Sequence, residues 1–494
     1  MRFIQGLLSG VIPAIVLAML AGAAAAQSTE KEEALLRRIE ALDQKIEELE
    51  RRLGNAPPSP REEALKQRVD DIDQQVRIVG RKQEIEQEAA AARAKDGPQA
   101  VAGRDGFGVR TADNQFAFRL RGYLQADARV YDDEAQTAAP DTFTLRRVRP
   151  IFEGTLFGKY GFRFMPDFGQ GSTQIFDAYG DANFNPAFRV RVGKFKPGVG
   201  LERLQSATAL SLVERALPTN LVPTRDIGVQ VSGDLLENRL TYELGVFNGV
   251  VDGGQATGGS GDRDSNSGKD AAVRLFAHPF RASETPWLQG LGVGVAGTWG
   301  EQQGTATNAV LPAFVTPGQQ TFFSYSAGAF ADGERTRFAP QFYWYWQTWG
   351  LLGEYYLNNQ RVRRGTSVRD VDVTAWQLTL NWVLTGEDAS FGGVRPRQPF
   401  DPAAGGWGAF ELVGRAQQLE VDDAAFAGTA ATRLADPSTA ARKATGFGLG
   451  LNWYLNRAVK VQAAFERTRF DGGAANGGDR RDENVFFTRY QVSF

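Results

Sequence analysis

The most regular pattern in the chain is a two-residue alternation. Between Phe116 and Tyr131 the even positions read Phe116, Phe118, Leu120, Gly122, Leu124, Ala126, Ala128 and Val130. The odd positions read Ala117, Arg119, Arg121, Tyr123, Gln125, Asp127, Arg129 and Tyr131. Successive side chains of a β-strand point to opposite faces, so this stretch carries one apolar face and one mostly cationic face. Its length exceeds the usual strand of a soluble sheet, whereas roughly 9–11 tilted residues suffice to cross hydrocarbon.

The same pattern returns downstream between Gly-, Pro- and Asp-rich turns. Apolar faces occur at Phe188, Val190 and Val192, at Phe338, Phe342, Trp344 and Trp346, and at Trp376, Leu378, Leu380 and Trp382. Phe447, Leu449, Leu451 and Trp453 follow, then Val459, Val461, Ala463 and Phe465. Strands are expected near 115–131, 143–157, 159–168, 174–184, 187–197, 226–234, 238–249 and 269–278. The second half predicts 289–300, 335–347, 349–358, 373–384, 406–420, 444–455, 458–469 and 484–494. Polar residues opposite these apolar faces, if turned inward, invert a soluble barrel. The predicted fold class is therefore an all-β transmembrane barrel of 16 antiparallel strands spanning 115–494, an even number as such barrels require.

Long connections are expected at 132–142, 250–268, 301–334, 421–443 and 470–483, alternating with short turns. The connection 385–405 breaks that alternation by being long on the short-turn side. Aromatic residues at Phe342–Trp349 and Trp453-Tyr454 suit interfacial girdles. The chain ends on Tyr490-Gln491-Val492-Ser493-Phe494, like a terminal barrel strand.

Upstream the period changes. Leu35, Ile39, Leu42, Ile46, Leu49 and Leu53 alternate steps of four and three, a heptad seam flanked by Arg38, Lys45, Asp43 and Glu50. Asn55-Ala56-Pro57-Pro58-Ser59-Pro60 interrupts it. A second seam, Leu65, Val69, Ile72, Val76 and Val79, fades after Gly80. This preceding α-helical segment reads as a coiled-coil arm at 27–93, with 94–114 as a tether. Residues 1–26 have the layout of a signal peptide: Arg2, the apolar run Leu7–Leu20, then Ala24-Ala25-Ala26. An exported chain is expected, with the arm in the periplasm.

Composition adds little to this and takes some alternatives away. The 494 residues carry a formal net charge of -2, so bulk charge points to no nucleic acid. There is no cysteine, which leaves neither disulfides nor thiolate metal sites, and no metal or cofactor is expected. The one histidine, His278, has no Ser/His/Asp constellation around it, and the chain is not expected to be an enzyme.

The charges matter by position. In Leu145-Arg146-Arg147-Val148-Arg149, alternation turns Arg147 and Arg149 inward, with Glu153, and sends Arg146 outward to snorkel at the strand end. Arg189 and Arg191 follow on the fifth strand, then Lys194 and Lys196, and Arg203 in the connection after it. That connection, 198–225, is expected to fold inward and place Lys196 and Arg203 at a constriction. With Arg119, Arg121, Arg129, Arg335 and Arg337, these residues make a cationic lumen and a candidate anion pathway.

Three stretches then carry a resemblance: LRRVRPIFEGTLFG from Leu145 to Gly158, Asp177-Ala178-Tyr179, and VGKFKPGVGLERLQS from Val192 to Ser206. With Glu214-Arg215-Ala216-Leu217-Pro218, Gly386-Glu387-Asp388 and Gly406–Leu412, the order resembles the phosphate-selective porin O/P family from about 115 to 494. The resemblance implies a homotrimeric outer-membrane channel in lipid, with its third external loop folded inward. It also implies an arginine ladder and lysines guiding phosphate. Arg147 matches that ladder directly, while Lys196 and Arg203 match it by neighbourhood. The expected function is passive diffusion of small anions such as phosphate or polyphosphate. The alternatives are a general, weakly anion-preferring porin, and a tether or adhesin barrel using the arm on peptidoglycan.

Overall fold

The computed structural model describes residues 60–103, 106–132, 140–253 and 267–494, with 37–38, 40–45, 47–48 and 51. The signal peptide, the 55–59 break and Leu35, Ile39, Ile46, Leu49 and Leu53 of the first seam lie outside the described residues. The chain divides into two compact units, 1–93 and 94–494.

One long helix, α1, runs from Pro60 to Asp96. Proline suits its first turn, where the missing N–H has no helical partner. The helix continues through Gly80, and Leu65, Ile72 and Val79 of the second seam are exposed on it. No described helix is long and apolar enough to cross a membrane.

Where a tether was expected at 94–114, the chain forms a hairpin instead. Gln99–Gly103 pairs with Gly106–Arg110, and the latter pairs with the start of the first barrel strand, Phe107 opposite Leu120. The alternation of Phe107 and Val109 with Gly108 and Arg110 is short, but the unpaired edge of residues 117–120 offers it a ladder.

The barrel strands are β1 (Ala117–Tyr131), β2 (Thr142–Leu156), β3 (Tyr160–Asp167), β4 (Gln174–Asn185), β5 (Phe188–Phe195), β6 (Asp226–Leu235), β7 (Leu240–Phe247) and β8 (Asp270–Ala277). The second half comprises β9 (Leu291–Gln303), β10 (Ala329–Trp346), β11 (Trp349–Arg364), β12 (Ser367–Val383), β13 (Ala409–Val421), β14 (Ala441–Tyr454), β15 (Val459–Gly472) and β16 (Glu483–Ser493). Each pairs antiparallel with its neighbour in sequence. The ring closes where β16 meets β1, Val485 opposite Tyr131 and Ser493 opposite Tyr123. This is a closed 16-strand antiparallel barrel.

Alternation sorts the two walls. On β12, Leu378, Leu380 and Trp382 are exposed outside while Gln377, Thr379 and Asn381 are buried inside. Aromatic pairs ring the short-turn end, with Trp349 and Trp382 stacked at 5.2 Å and Phe410 and Trp453 at 5.7 Å.

Two features depart from expectation. First, β10–β12 are taller than the apolar pattern suggested. β11 and β12 meet at a tight turn with Arg364 opposite Ser367, and the expected loop over 359–372 is strand. Above the apolar band the outward residues become Asn359, Arg361 and Arg363, so outward greasiness stops marking the strand although pairing continues.

Second, the segment 304–328 turns into the barrel. Its hairpin, Ala313–Val315 with Thr321–Ser324, buries Phe314, Phe322 and Phe323 against Val362, Val371, Val373, Leu419, Val421 and Phe470. Inward residues at the long-loop end of β11–β13 are thus apolar. Part of the bore is a dry core, where a continuous polar lumen was expected. Burying each phenylalanine contributes about 2–3 kcal/mol, which offsets the ordering of the loop.

The connection 384–408, long at the short-turn end as expected, packs Ala389 and Val394 against Val383, Ala409 and Tyr454. Water is left room mainly beside β1–β7.

Candidate permeation path

The inward loop spans residues 196–225 between β5 and β6. Gly200, at φ +87, starts its turn, and a Cβ there would lie 2.8 Å from the Tyr356 hydroxyl. A short helix, α2 (Leu201–Leu204), follows. The loop is held by the polar inner wall. Glu354 accepts from Leu201 N at 2.7 Å, Gln417 accepts from Leu217 N at 2.7 Å, and Lys460 Nζ donates to the Thr208 and Leu210 carbonyls at 3.1 and 3.0 Å. Gln125, Asn452 and Arg489 donate to the carbonyls of Ala207, Ser211 and Val213. Buried backbone groups need such partners, which explains why inward residues of β1 and β11–β16 are polar without all facing water.

Beside the loop lies a cavity of about 790 Å³. Arg121, Arg146, Arg147, Arg149, Arg163, Arg189, Arg191, Lys196, Arg203, Arg215 and Arg225 line it, against Asp177, Asp234 and Glu243. Eleven cations thus face three carboxylates. A second cavity of about 110 Å³ shares Arg146, Arg147, Arg203, Arg215 and Thr224 with the first and adds Glu214, Thr219, Asn220 and Thr316. The shared guanidiniums form the rim between the two spaces.

Most wall arginines are paired. Arg121 binds Glu153 at 2.9 Å, Arg149 binds Asp167 at 2.8 Å, Arg191 binds Asp181 at 2.7 Å, and Arg189 binds Asp234. Arg225 and Arg163 share Asp177 at 2.5 and 3.2 Å. Aromatic faces support several of them. The Arg149 guanidinium lies 3.7 Å from the Phe176 ring and that of Arg191 lies 4.1 Å from Tyr179, geometry suited to cation–π attraction.

The loop cations differ. Arg203 donates to the Thr219 carbonyl at 2.7 Å, Arg215 to the Gln205 carbonyl at 2.8 Å, and Lys196 to the Leu204 and Gln205 carbonyls at 3.1 and 2.9 Å. Among the described residues none of the three has a carboxylate within ion-pair distance. Burial, with the guanidiniums of Arg225 and Arg215 close by, pushes the Lys196 ammonium well below its ordinary range.

The expected pathway residues therefore divide. Arg121, Arg147, Arg149, Arg189, Arg191, Lys196 and Arg203 come together on the larger cavity. Arg119 stands exposed at the short-turn mouth, in a recess with the N-terminal hairpin. Arg129 is buried against Glu214 at 3.3 Å, away from the cavity lining. Arg335 and Arg337 are locked to Asp270 at 2.6 and 2.9 Å, and Arg337 also to Asp252, on the filled side. Lys194 is buried and absent from the lining, since it falls on the opposite parity of β5 from Arg189 and Arg191.

Arg146 corrects the alternation. It points inward, donating to Glu214 Oε1 at 2.6 Å, because a β-bulge sets Gln125 opposite Arg147 and Ala126 opposite Leu145. The extra residue in a bulge re-aims a side chain and resets the parity beyond it. Arg163, Arg215 and Arg225 also belong to the lining. Arg163 alternates inward on β3, and Arg215 was visible within the Glu214-Arg215 pair. His278 shares a 2.7 Å hydrogen bond with the Tyr343 hydroxyl beside Phe276, outside the cavity lining.

An apolar outer wall, a polar inner wall and a loop folded beside a cation-lined water space define an outer-membrane porin. The chain belongs to the phosphate-selective porin O and P family, whose model matches residues 118–494. It is 27% identical over 432 residues to Porin O of Pseudomonas aeruginosa, covering 79% of this chain and 91% of that protein. In fold it resembles the outer membrane channel DcaP of Acinetobacter baumannii, with a TM-score of 0.51 at 14% identity, covering 78% of this chain and 99% of that one.

Proposed function

We propose that this porin passes small anions, phosphate and polyphosphate foremost, by passive diffusion through the space beside the 196–225 loop. The observation that carries the reading is the trio Lys196, Arg203 and Arg215, which donate to backbone carbonyls and, among the described residues, have no carboxylate within ion-pair distance. Cations in a narrow, low-dielectric passage favour anion entry, and the guanidinium fork matches phosphate oxygens. The family name points the same way.

A general pore with weak anion preference is the second reading. It is favoured by the ion pairs that hold Arg121, Arg149, Arg189 and Arg191. Phosphate titrated into chloride across a planar bilayer separates the two. Block of chloride current at low phosphate concentration supports the first, and an unchanged current supports the second. Cation over anion selectivity in a salt gradient would sink both.

The same reading places the long loops outside, the short turns in the periplasm, and the N-terminal arm there as well. The exposed seam on α1 suits a coiled coil between chains of a homotrimer, with peptidoglycan contact as the other role for the arm. Deleting residues 27–100 tests this on unheated gels: loss of trimers supports assembly, and retained trimers support cell-wall contact.

A further inference from the structure

Glu214 is buried within the barrel and accepts from four guanidiniums. Arg146 reaches it at 2.6 Å, Arg129 and Arg489 at 3.3 Å, and Arg147 at 3.4 Å. Asp127, a second carboxylate on this cluster, is already gripped by Arg489 at 2.6 Å and lies 3.7 Å from Arg129. Four cations therefore share two anions. Two of the four, Arg146 and Arg147, line both cavities, and Glu214 itself lines the smaller one.

We propose that Glu214 is a resident counter-anion: its carboxylate occupies the arginine cage that a permeating oxyanion would otherwise fill. It thereby sets how tightly the passage holds phosphate. The inference rests on the anion-pathway reading and adds its regulation. A carboxylate and a phosphate present the same kind of oxygen edge to a guanidinium, so they compete for the same donors. A tethered carboxylate does not diffuse away, so it keeps the cage intact between solutes while weakening the hold on each one.

The backbone around Glu214 is clamped independently of its side chain. Arg415 donates to the Glu214 carbonyl at 3.0 Å, Arg489 donates to that of Val213, and Glu202 accepts from Ala216 N at 2.8 Å. Glu214→Gln thus removes charge and leaves the loop's anchors in place.

The test compares full-length wild-type and Glu214→Gln channels in bilayers, titrating inorganic phosphate into chloride. Half-block at about tenfold lower phosphate in Glu214→Gln is expected, equivalent to about 1.4 kcal/mol. Glu214→Asp, which keeps the charge, should stay near wild type. Equal half-block in wild type and Glu214→Gln, with both migrating as folded barrels on unheated gels, overturns the proposal. If Glu214→Gln does not fold, Glu214→Asp paired with Arg147→Lys carries the comparison. There the weaker lysine donor should raise the half-block concentration, and no change overturns the proposal. Wild-type channels indifferent to phosphate would instead refute the anion-pathway reading itself.

Discussion

Arg489 on the last strand grips both carboxylate oxygens of Asp127 on the first, at 2.6 and 2.7 Å, directly across the seam that closes the barrel. Both side chains are fully buried. A bidentate pair of this kind fixes register as well as contributing energy, and the register is what brings Phe494 beside Gly122.

Breaking this pair should weaken closure. Arg489→Ala leaves Asp127 buried with only Arg129 at 3.7 Å, and losing one partner of a buried pair costs about 3–5 kcal/mol. The temperature at which the folded band converts to the unfolded one on gels should fall. Arg489→Ala with Asp127→Ala should recover part of the loss, and an unchanged transition in the single variant would show that the seam does not depend on this pair.

The cavity cations should be unequal in their effect on selectivity. Arg203→Gln with Lys196→Gln removes charges that have no carboxylate at ion-pair distance, so the chloride-over-potassium reversal potential should drop markedly. Arg147→Ala with Arg149→Ala removes charges held by Glu214 and Asp167, and its drop should be smaller. The reverse order would mean that the wall, not the loop, lines the narrowest point.

Lys196 also gives a pH signature. Its ammonium titrates below its ordinary value of 10.5, so raising pH through that lowered value deprotonates it. The passage then loses one positive charge, and anion preference should fall as pH rises through that lowered value. Lys196→Arg keeps its charge throughout this range and should abolish that fall.

Arg337 belongs to a different part of the molecule. It is buried with Asp252 and Asp270 and does not line the larger cavity. Arg337→Met should lower thermal stability by about 3–5 kcal/mol and leave the reversal potential unchanged. A shifted reversal potential would place the filled half of the bore on the ion path.

The apolar insert is the remaining test. Replacing 312–325 by a short glycine–serine link removes Phe314, Phe322 and Phe323 from the core, and single-channel conductance should rise. Unaltered conductance in a folded variant would mean that other segments close that side.

The alternation of residues made every stave of the barrel legible, because apolar residues at every second position mark a wall facing hydrocarbon. The same rule lost β11 above Leu357, where outward residues are Asn359 and Arg361 and only the pairing register persists. It also misplaced Arg146, since one extra residue opposite Gln125 reverses parity without any local sign. The inward loop was legible in outline, as a long connection rich in cations. Its partners were not: Glu214 meets Arg489 and Asp252 meets Arg337 across long sequence separations, and alternation reports which face a side chain takes but not what lies across from it. Likewise Phe314, Phe322 and Phe323 read as an outer loop, because nothing local distinguishes a hairpin that folds over a rim from one that folds beneath it.

The phenylalanine hairpin bears on what the molecule lets through. Strand number sets the circumference of a barrel, yet here the phenylalanine hairpin and the 196–225 loop fill part of the bore. On the proposed path, the largest solute admitted would be set by the space beside that loop and not by the diameter that sixteen strands enclose.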